Sequence, residues 1–173
     1  MMPRNVEIKA RVRDLEALRR RAEALSDAPV EVLDQRDTFF DVPQGRLKLR
    51  RLDGGACELI YYERPDEAGA KVSEYSIARA SDAGPLLRVL SAALPVRGVV
   101  VKRRFVYRIG RTRVHLDLVD RLGAFVELEV VLEEDARIED GCRTAEELLV
   151  GLGIRSEDRV SGAYIDLLEA DGR

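Results

Sequence analysis

Polar and apolar residues alternate without a slip over residues 5–12: Asn5, Glu7, Lys9 and Arg11 fall on one side, Val6, Ile8, Ala10 and Val12 on the other. A period of two predicts a strand with one apolar face. Asp14 is placed to cap a helix running to Leu25, with Leu15, Leu18, Ala22 and Leu25 on one side. Strands are then predicted over 37–42, 46–52 and 57–65, separated by turns at Pro43 with Gly45 and at Gly54-Gly55. A polar loop over 65–71 leads to a fifth strand over 72–79. Ser81 or Asp82 starts a second helix, with Pro85 in its first turn and Leu86, Leu87, Leu90 and Leu94 as its stripe. Three long strands are predicted over 98–110, 112–121 and 124–134, jointed at Gly110 and Gly123. Thr144 and Glu147 have the spacing of a capping box for a third helix that stops near Gly153, and a short helix over 162–170 closes the chain. Eight strands with short joints and three or four helices make the class α+β, with a large antiparallel sheet.

The polar faces of these strands carry ionisable groups opposite nearly pure apolar sets. Glu7 and Lys9 lie on the first strand and Lys48 and Arg50 on the third. Lys102, Arg104 and Arg108 follow one another at alternate positions, as do Arg113, His115 and Asp117, and then Glu127 and Glu129. Three arrangements satisfy this pattern. The polar faces can meet water, they can line an outer-membrane barrel whose apolar face meets lipid, or they can line a soluble barrel covered outside by the helices. The amphipathic helices speak against the second. Segregation of charge favours the third, because Lys-x-Arg on one strand beside Glu-x-Glu on another makes a bipolar site. Carboxylates hold hard cations such as Mg²⁺ or Mn²⁺. Lys and Arg hold phosphate oxygens.

Composition agrees with a charged interior. The chain has 173 residues, of which 46% are apolar and 35% charged, yet the net charge is only −3. That near balance argues against a general nucleic-acid binder. Cys57 and Cys142 are far apart and lack metal-type spacing. The N-terminus shows no apolar secretory segment and no run approaches a membrane helix, so a cytoplasmic protein is expected.

In sequence order, "NVEIK" is similar to an ExExK signature, "RLKLR" to a basic third strand and "VVVKRRFVY" to a K-x-R strand. "LDLVDRLGAFVELEV" is similar to an L-D-x-V-x-x-L-G-x-F-x-E-x-E block, and "GAYIDLLEA" to a "SYSDLL" ending. This ordered set resembles the CYTH superfamily, the triphosphate tunnel metalloenzymes, near the branch of class IV adenylyl cyclases and thiamine triphosphatases. The resemblance implies one CYTH-like domain over 1–173, an eight-stranded antiparallel β-barrel open at both ends with helices packed outside. It implies Glu7, Asp117, Glu127 and Glu129 as metal ligands and, with Lys9, as catalytic residues. Lys9, Lys48, Arg50, Lys102, Arg104 and Arg113 would bind the substrate phosphates. Two positions depart from the pattern. Asn5 replaces the first Glu, and Glu63 stands where a Lys is usual, with Arg64 beside it on the face of Glu58 and Tyr62 to take the Lys role.

The expected function is therefore Mg²⁺- or Mn²⁺-dependent action on a nucleoside, thiamine or inorganic triphosphate. Either ATP is cyclised to cyclic AMP and pyrophosphate, or a triphosphate is hydrolysed. A non-catalytic triphosphate- or polyphosphate-binding module is the alternative, motivated by Asn5 and Glu63. No nucleic acid or membrane partner is expected, and a homodimer is compatible with the chain. His115 reads as a hydrogen-bonding group, or as an aid to a metal ligand or to proton transfer, and Tyr164 as packing or as a cover folded over one mouth of the tunnel.

Overall fold

A computed structural model describes residues 4–172. Its elements are β1 (Arg4–Arg11), α1 (Leu15–Leu25), β2 (Glu31–Phe40), β3 (Arg46–Arg51), β4 (Cys57–Glu63), β5 (Lys71–Ala80), α2 (Ala83–Ala93), β6 (Val96–Ile109), β7 (Thr112–Val119), β8 (Gly123–Leu132), α3 (Ile138–Leu152) and α4 (Tyr164–Asp171). The strands close into an antiparallel ring in the order β1-β5-β4-β3-β2-β6-β7-β8. Closure removes every sheet edge, so all eight strands have hydrogen-bonded neighbours on both sides.

The helices explain why the strands alternate so cleanly. Val6 and Ile8 of β1, Val114 and Leu116 of β7, and Val126 and Leu128 of β8 point outward and are fully buried under Leu18 and Ala22 of α1 and Ala145, Leu149 and Leu152 of α3. Each such side chain contributes roughly 1.5–3 kcal/mol on leaving water. Gly141 lets α3 lie this close, since a Cβ there would meet Val6 Cγ2 at 2.9 Å and Leu132 Cδ2 at 2.7 Å. α2 covers Phe40, Leu49 and Cys57 with Leu86, Leu87 and Leu90. The inward faces are polar yet buried too: Asn5 is 2% exposed, Glu7 8% and Lys9 2%. β1 is thus buried on both faces, apolar outside the ring and ionic within it.

α4 lies across one end of the ring. Ala163, Tyr164 and Ile165 pack with Phe39, Val100, Val119 and Phe125, all of them buried. Gly98 makes room, because a Cβ there would come within 2.7 Å of Ile165 Cδ1. Arg97 anchors the helix from outside with 2.7 Å hydrogen bonds to Asp166 and Glu169. The ring is consequently closed at this end rather than open at both.

Two expectations need correction. β2 starts at Glu31 instead of 37. Over 31–36 neither face is purely apolar, because Leu33 points inward and Val32 outward at 49% exposure, so alternation gives no signal. α3 starts at Ile138, and Thr144 lies inside it, donating its hydroxyl to the Asp140 carbonyl at 2.9 Å. Glu139 and Asp140 in the first turn suit the positive end of the helix and allow the earlier start. Asp14 does cap α1, accepting from the Ala17 N–H at 2.9 Å, and Asp82 caps α2 by accepting from Gly84 N–H at 2.8 Å.

Candidate active site

The ring encloses a cavity of about 460 Å³. Glu7, Lys9, Lys48, Arg50, Arg64, Lys102, Arg104, Arg113, Glu127 and Glu129 all line it. Register builds the first cluster. β1 pairs with β8 so that Glu7 faces Glu129 and Lys9 faces Glu127, and β7 pairs with β8 so that Arg113 faces Glu129 and His115 faces Glu127. His115 Nδ1 lies 3.7 Å from Glu129 Oε1 and 3.9 Å from Glu127 Oε2. One donor atom from each of the three falls within 4.8 Å of the others. Lys9 Nζ is 3.5 Å from Glu127, and Arg113 reaches Glu129 at 2.8 Å.

Burial and proximity set the protonation of this cluster. Burial, followed by the nearby Glu127 and Glu129, pushes the Glu7 carboxyl up to about 7. Burial would raise Glu127 as well, but Lys9 and Arg104 beside it hold its carboxyl well below the usual range. Burial, with Arg104 close by, lowers His115 and keeps the imidazole neutral. A neutral imidazole beside ionised carboxylates is the protonation state a divalent cation requires.

The second cluster centres on Asp37, which the sequence reading did not single out. Arg50 donates two 2.8 Å hydrogen bonds to its carboxylate, Lys48 donates one at 3.0 Å, and Lys102 stands 3.6 Å away. Burial opposes ionisation of Asp37, yet Arg50, Lys48 and Lys102 hold it well below the ordinary carboxylate range. Burial and the neighbouring Arg104 bring the Lys102 ammonium down to about 7.

Asp117 occupies a third position, behind the lining. Arg104 grips it with bonds of 2.7 and 2.6 Å, and the Tyr164 hydroxyl donates to it at 2.8 Å. It is fully buried and adds no atom to the His115, Glu127 and Glu129 group. Asp117, expected among the metal ligands, is hydrogen-bonded here to Arg104 and Tyr164. Tyr164 likewise does more than pack, since Lys9 Nζ lies 4.0 Å from its ring centre and Lys102 Nζ 5.2 Å. Arg64 turns inward as anticipated, 3.4 Å from Glu7 and donating to the Gly162 carbonyl at 2.9 Å. Glu63 accepts from the Tyr61 hydroxyl and does not line the cavity.

The donor set fits a hard divalent cation. His115 Nδ1 and Asn5 Oδ1 are both buried without a hydrogen-bond partner in the protein, a state that favours a ligand there. Both line the cavity with Glu7, Glu127 and Glu129.

The CYTH domain signature matches residues 3–164. The chain belongs to the CYTH domain family. Within reach of this CYTH chain, adenylate cyclase CyaB of Aeromonas hydrophila is 25% identical over 172 residues, covering 95% of the chain and 88% of the relative. The PH1012 protein of Pyrococcus horikoshii OT3 superposes with a TM-score of 0.84 at 26% identity, covering 94% of this chain and 98% of that one. HpAC1 of Hippeastrum, described as having a dominant triphosphatase activity, shares the fold with a TM-score of 0.65 at 20% identity, covering 98% and 96% of the two chains. No helix among the described residues is long and apolar enough to cross a membrane.

Proposed function

We propose that this CYTH protein is a divalent-metal-dependent enzyme that breaks a phosphoanhydride bond of a triphosphate within the closed-ended barrel. The observation that carries this reading is the pairing of two unlike clusters in one cavity. One holds carboxylates and a neutral imidazole, the other an excess of Lys and Arg. Seven buried or half-buried bases (Lys9, Lys48, Arg50, Arg64, Lys102, Arg104 and Arg113) line the cavity with five such acids (Glu7, Asp37, Glu58, Glu127 and Glu129), so the lining is short of negative charge. A polyanion corrects that shortage.

In this reading Lys48, Arg50 and Lys102 release part of their hold on Asp37 to take phosphate oxygens. Arg104, fixed by Asp117 and Tyr164, presents its guanidinium without having to reorganise. Lys9 and Arg64 hold the end of the phosphate chain against the Gly162 carbonyl and the Tyr164 ring. Glu127, Glu129 and His115 would hold Mg²⁺ or Mn²⁺, with Glu7 and Asn5 completing the set, and the cation would supply charge neutralisation at the phosphoryl oxygens. The walls keep bulk water from the phosphates, so these charges act at low dielectric.

Two products are compatible with the same electrostatics. Water as nucleophile gives hydrolysis; the ribose 3′-hydroxyl of ATP gives cyclic AMP and pyrophosphate. The Aeromonas relative named adenylate cyclase supports the second, and the Hippeastrum protein with triphosphatase activity supports the first. A binding module without turnover is a further reading, motivated by Asn5 where a carboxylate is usual. Purified protein with Mg²⁺ or Mn²⁺ should be given ATP, GTP, thiamine triphosphate and tripolyphosphate, and phosphate, pyrophosphate and cyclic nucleotide resolved. Phosphate identifies a hydrolase, and pyrophosphate with cyclic AMP a cyclase. A ligand-dependent rise in melting temperature without product identifies a binding module. Neither product nor stabilisation with any of the four overturns the triphosphate reading.

A further inference from the structure

Two aspartates in this barrel receive the same forked grip from an arginine, and only one of them reaches the cavity. Arg104 donates to both oxygens of Asp117 at 2.7 and 2.6 Å, and Arg50 to both oxygens of Asp37 at 2.8 Å. Asp117 is fully buried, accepts a further hydrogen bond from Tyr164 and stays out of the lining, so it anchors its arginine from behind. Asp37 lines the cavity together with Arg50, Lys48 and Lys102. Its hydrogen bonds come from Arg50 and Lys48, with Lys102 Nζ 3.6 Å away. Gln35 and Phe39, its lining neighbours on β2, bring no charge.

A guanidinium fork with ammonium groups beside it is also what holds a phosphate. Asp37 thus engages the donors that a phosphate in this part of the cavity requires. The side chains of Asp37 and Lys102 are 2% and 3% exposed, so water does not readily replace a lost partner. A ligand that takes these cations leaves Asp37 as a buried charge short of partners, and that cost is subtracted from the ligand's affinity.

We infer that Asp37 is an internal competitor for the phosphate site: a positioning residue that acts through Arg50, Lys48 and Lys102 and weakens every phosphate ligand by the cost of its own displacement. The inference rests on the triphosphate reading above and gives that reading a means of letting products go. A chain anchored by its other phosphates on Lys9, Arg64 and Arg104 presents its next group to the cluster at high effective concentration and overcomes the competition. A fragment cut from that chain loses this advantage, while Asp37 stays tethered to the barrel wall. The carboxylate then recovers its cations and the fragment departs.

The test compares imidotriphosphate, whose P–N–P links resist cleavage, with inorganic phosphate, both in Mg²⁺. Affinities are taken from the ligand-dependent rise in melting temperature. Asp37→Asn keeps the shape and removes the charge, and is expected to tighten both ligands about tenfold. Asp37→Glu keeps the charge and should stay within about threefold of the parent. Glu58→Gln removes a lining carboxylate that is paired with Arg79 instead, and should tighten neither ligand by more than about twofold. A purely structural role has the opposite sign, because a damaged cluster binds more weakly. The inference is overturned if Asp37→Asn leaves both affinities unchanged or lowers them, or if Glu58→Gln matches it, since net charge alone would then explain the gain. Should Asp37→Asn be too unstable to melt alone, either anion is expected to restore its fold by replacing the missing carboxylate; a variant that stays unfolded with both overturns the inference. A parent stabilised by neither imidotriphosphate nor ATP takes down the triphosphate reading itself, and this inference with it.

Discussion

On the wall built by β2, β3 and β6, one carboxylate is met by three cations: Asp37 by Arg50, Lys48 and Lys102. On the wall built by β1, β7 and β8, three carboxylates crowd together, the Glu7 carboxyl is pushed up to about 7, and His115 Nδ1 goes without a partner. Both walls are buried and both are ionic, but the carboxylate of the first is fully paired, whereas the second crowds carboxylates beside an unpartnered imidazole nitrogen. A paired buried cluster becomes strongly destabilising when one partner is removed, because the charges left behind are uncompensated. An unsatisfied one is a standing cost that a bound cation removes.

Breaking the satisfied wall should produce the largest effect on folding. Asp37→Asn leaves three cations facing one another in the lumen, and loss of one partner from a buried charge cluster costs about 3–5 kcal/mol. Chemical denaturation checks this, and a triphosphate should restore more stability to the variant than to the parent. A variant as stable as the parent would show that the wall is not the structural one. On the other wall, Glu129→Gln should leave folding nearly intact while lowering turnover about 100-fold, the cost of removing a few kcal/mol of charge stabilisation. The same variant should lose the Mn²⁺-dependent rise in melting temperature. Unchanged metal dependence would remove Glu129 from the cation site.

The pH response sharpens the contrast further. Lys102 has its folded-state value brought from 10.5 down to about 7. Between those values the unfolded chain binds a proton that the folded chain does not, so stability rises from about pH 7 to 10.5, and the gain is gone once pH has fallen to about 7. The slope from this group is about 1.4 kcal/mol per pH unit inside that window. Lys102→Met should abolish it, visible as a smaller difference between melts at pH 7 and pH 9. Because phosphate binding needs the charged amine, parent protein should also take up protons when it binds a triphosphate at pH 8. The smallest expected effect is that of His115→Leu, which replaces an unpartnered polar ring by carbon. It should change stability by less than about 1 kcal/mol in the absence of metal. With Mn²⁺ present the gap from the parent should widen.

The sequence was informative where helices cover the outside of the ring. β1, β6, β7 and β8 have nearly pure apolar outer faces because α1 and α3 bury them, so period two is strong and their inward charges can be read off directly. β2 over 31–36 carries Val32 outward and Leu33 inward, which cancels the pattern and hides Gln35. Asp37 was inside a predicted strand, but its importance depends on register: Arg50 is its neighbour across β3, and Lys102 lies two residues beyond its partner Val100 on β6. A single sequence contains no such register. Tyr164 needed the docking of α4 to be placed beside Asp117, 47 residues earlier in the chain. The capping box at Thr144 failed because a spacing of residue types is compatible with a helix interior as well as with a helix start.

Ile165 resting over Gly98 turns the barrel into a blind shaft, and traffic through it follows. A molecule that goes in must back out by the route it came. When one elongated molecule is cut into two, the fragment nearer the opening leaves first, and the fragment against the floor waits its turn. On the proposed reading, the order of release would be set by depth. The inner fragment, still held by Lys9 and Arg64, would be the one to block the next round if it lingered.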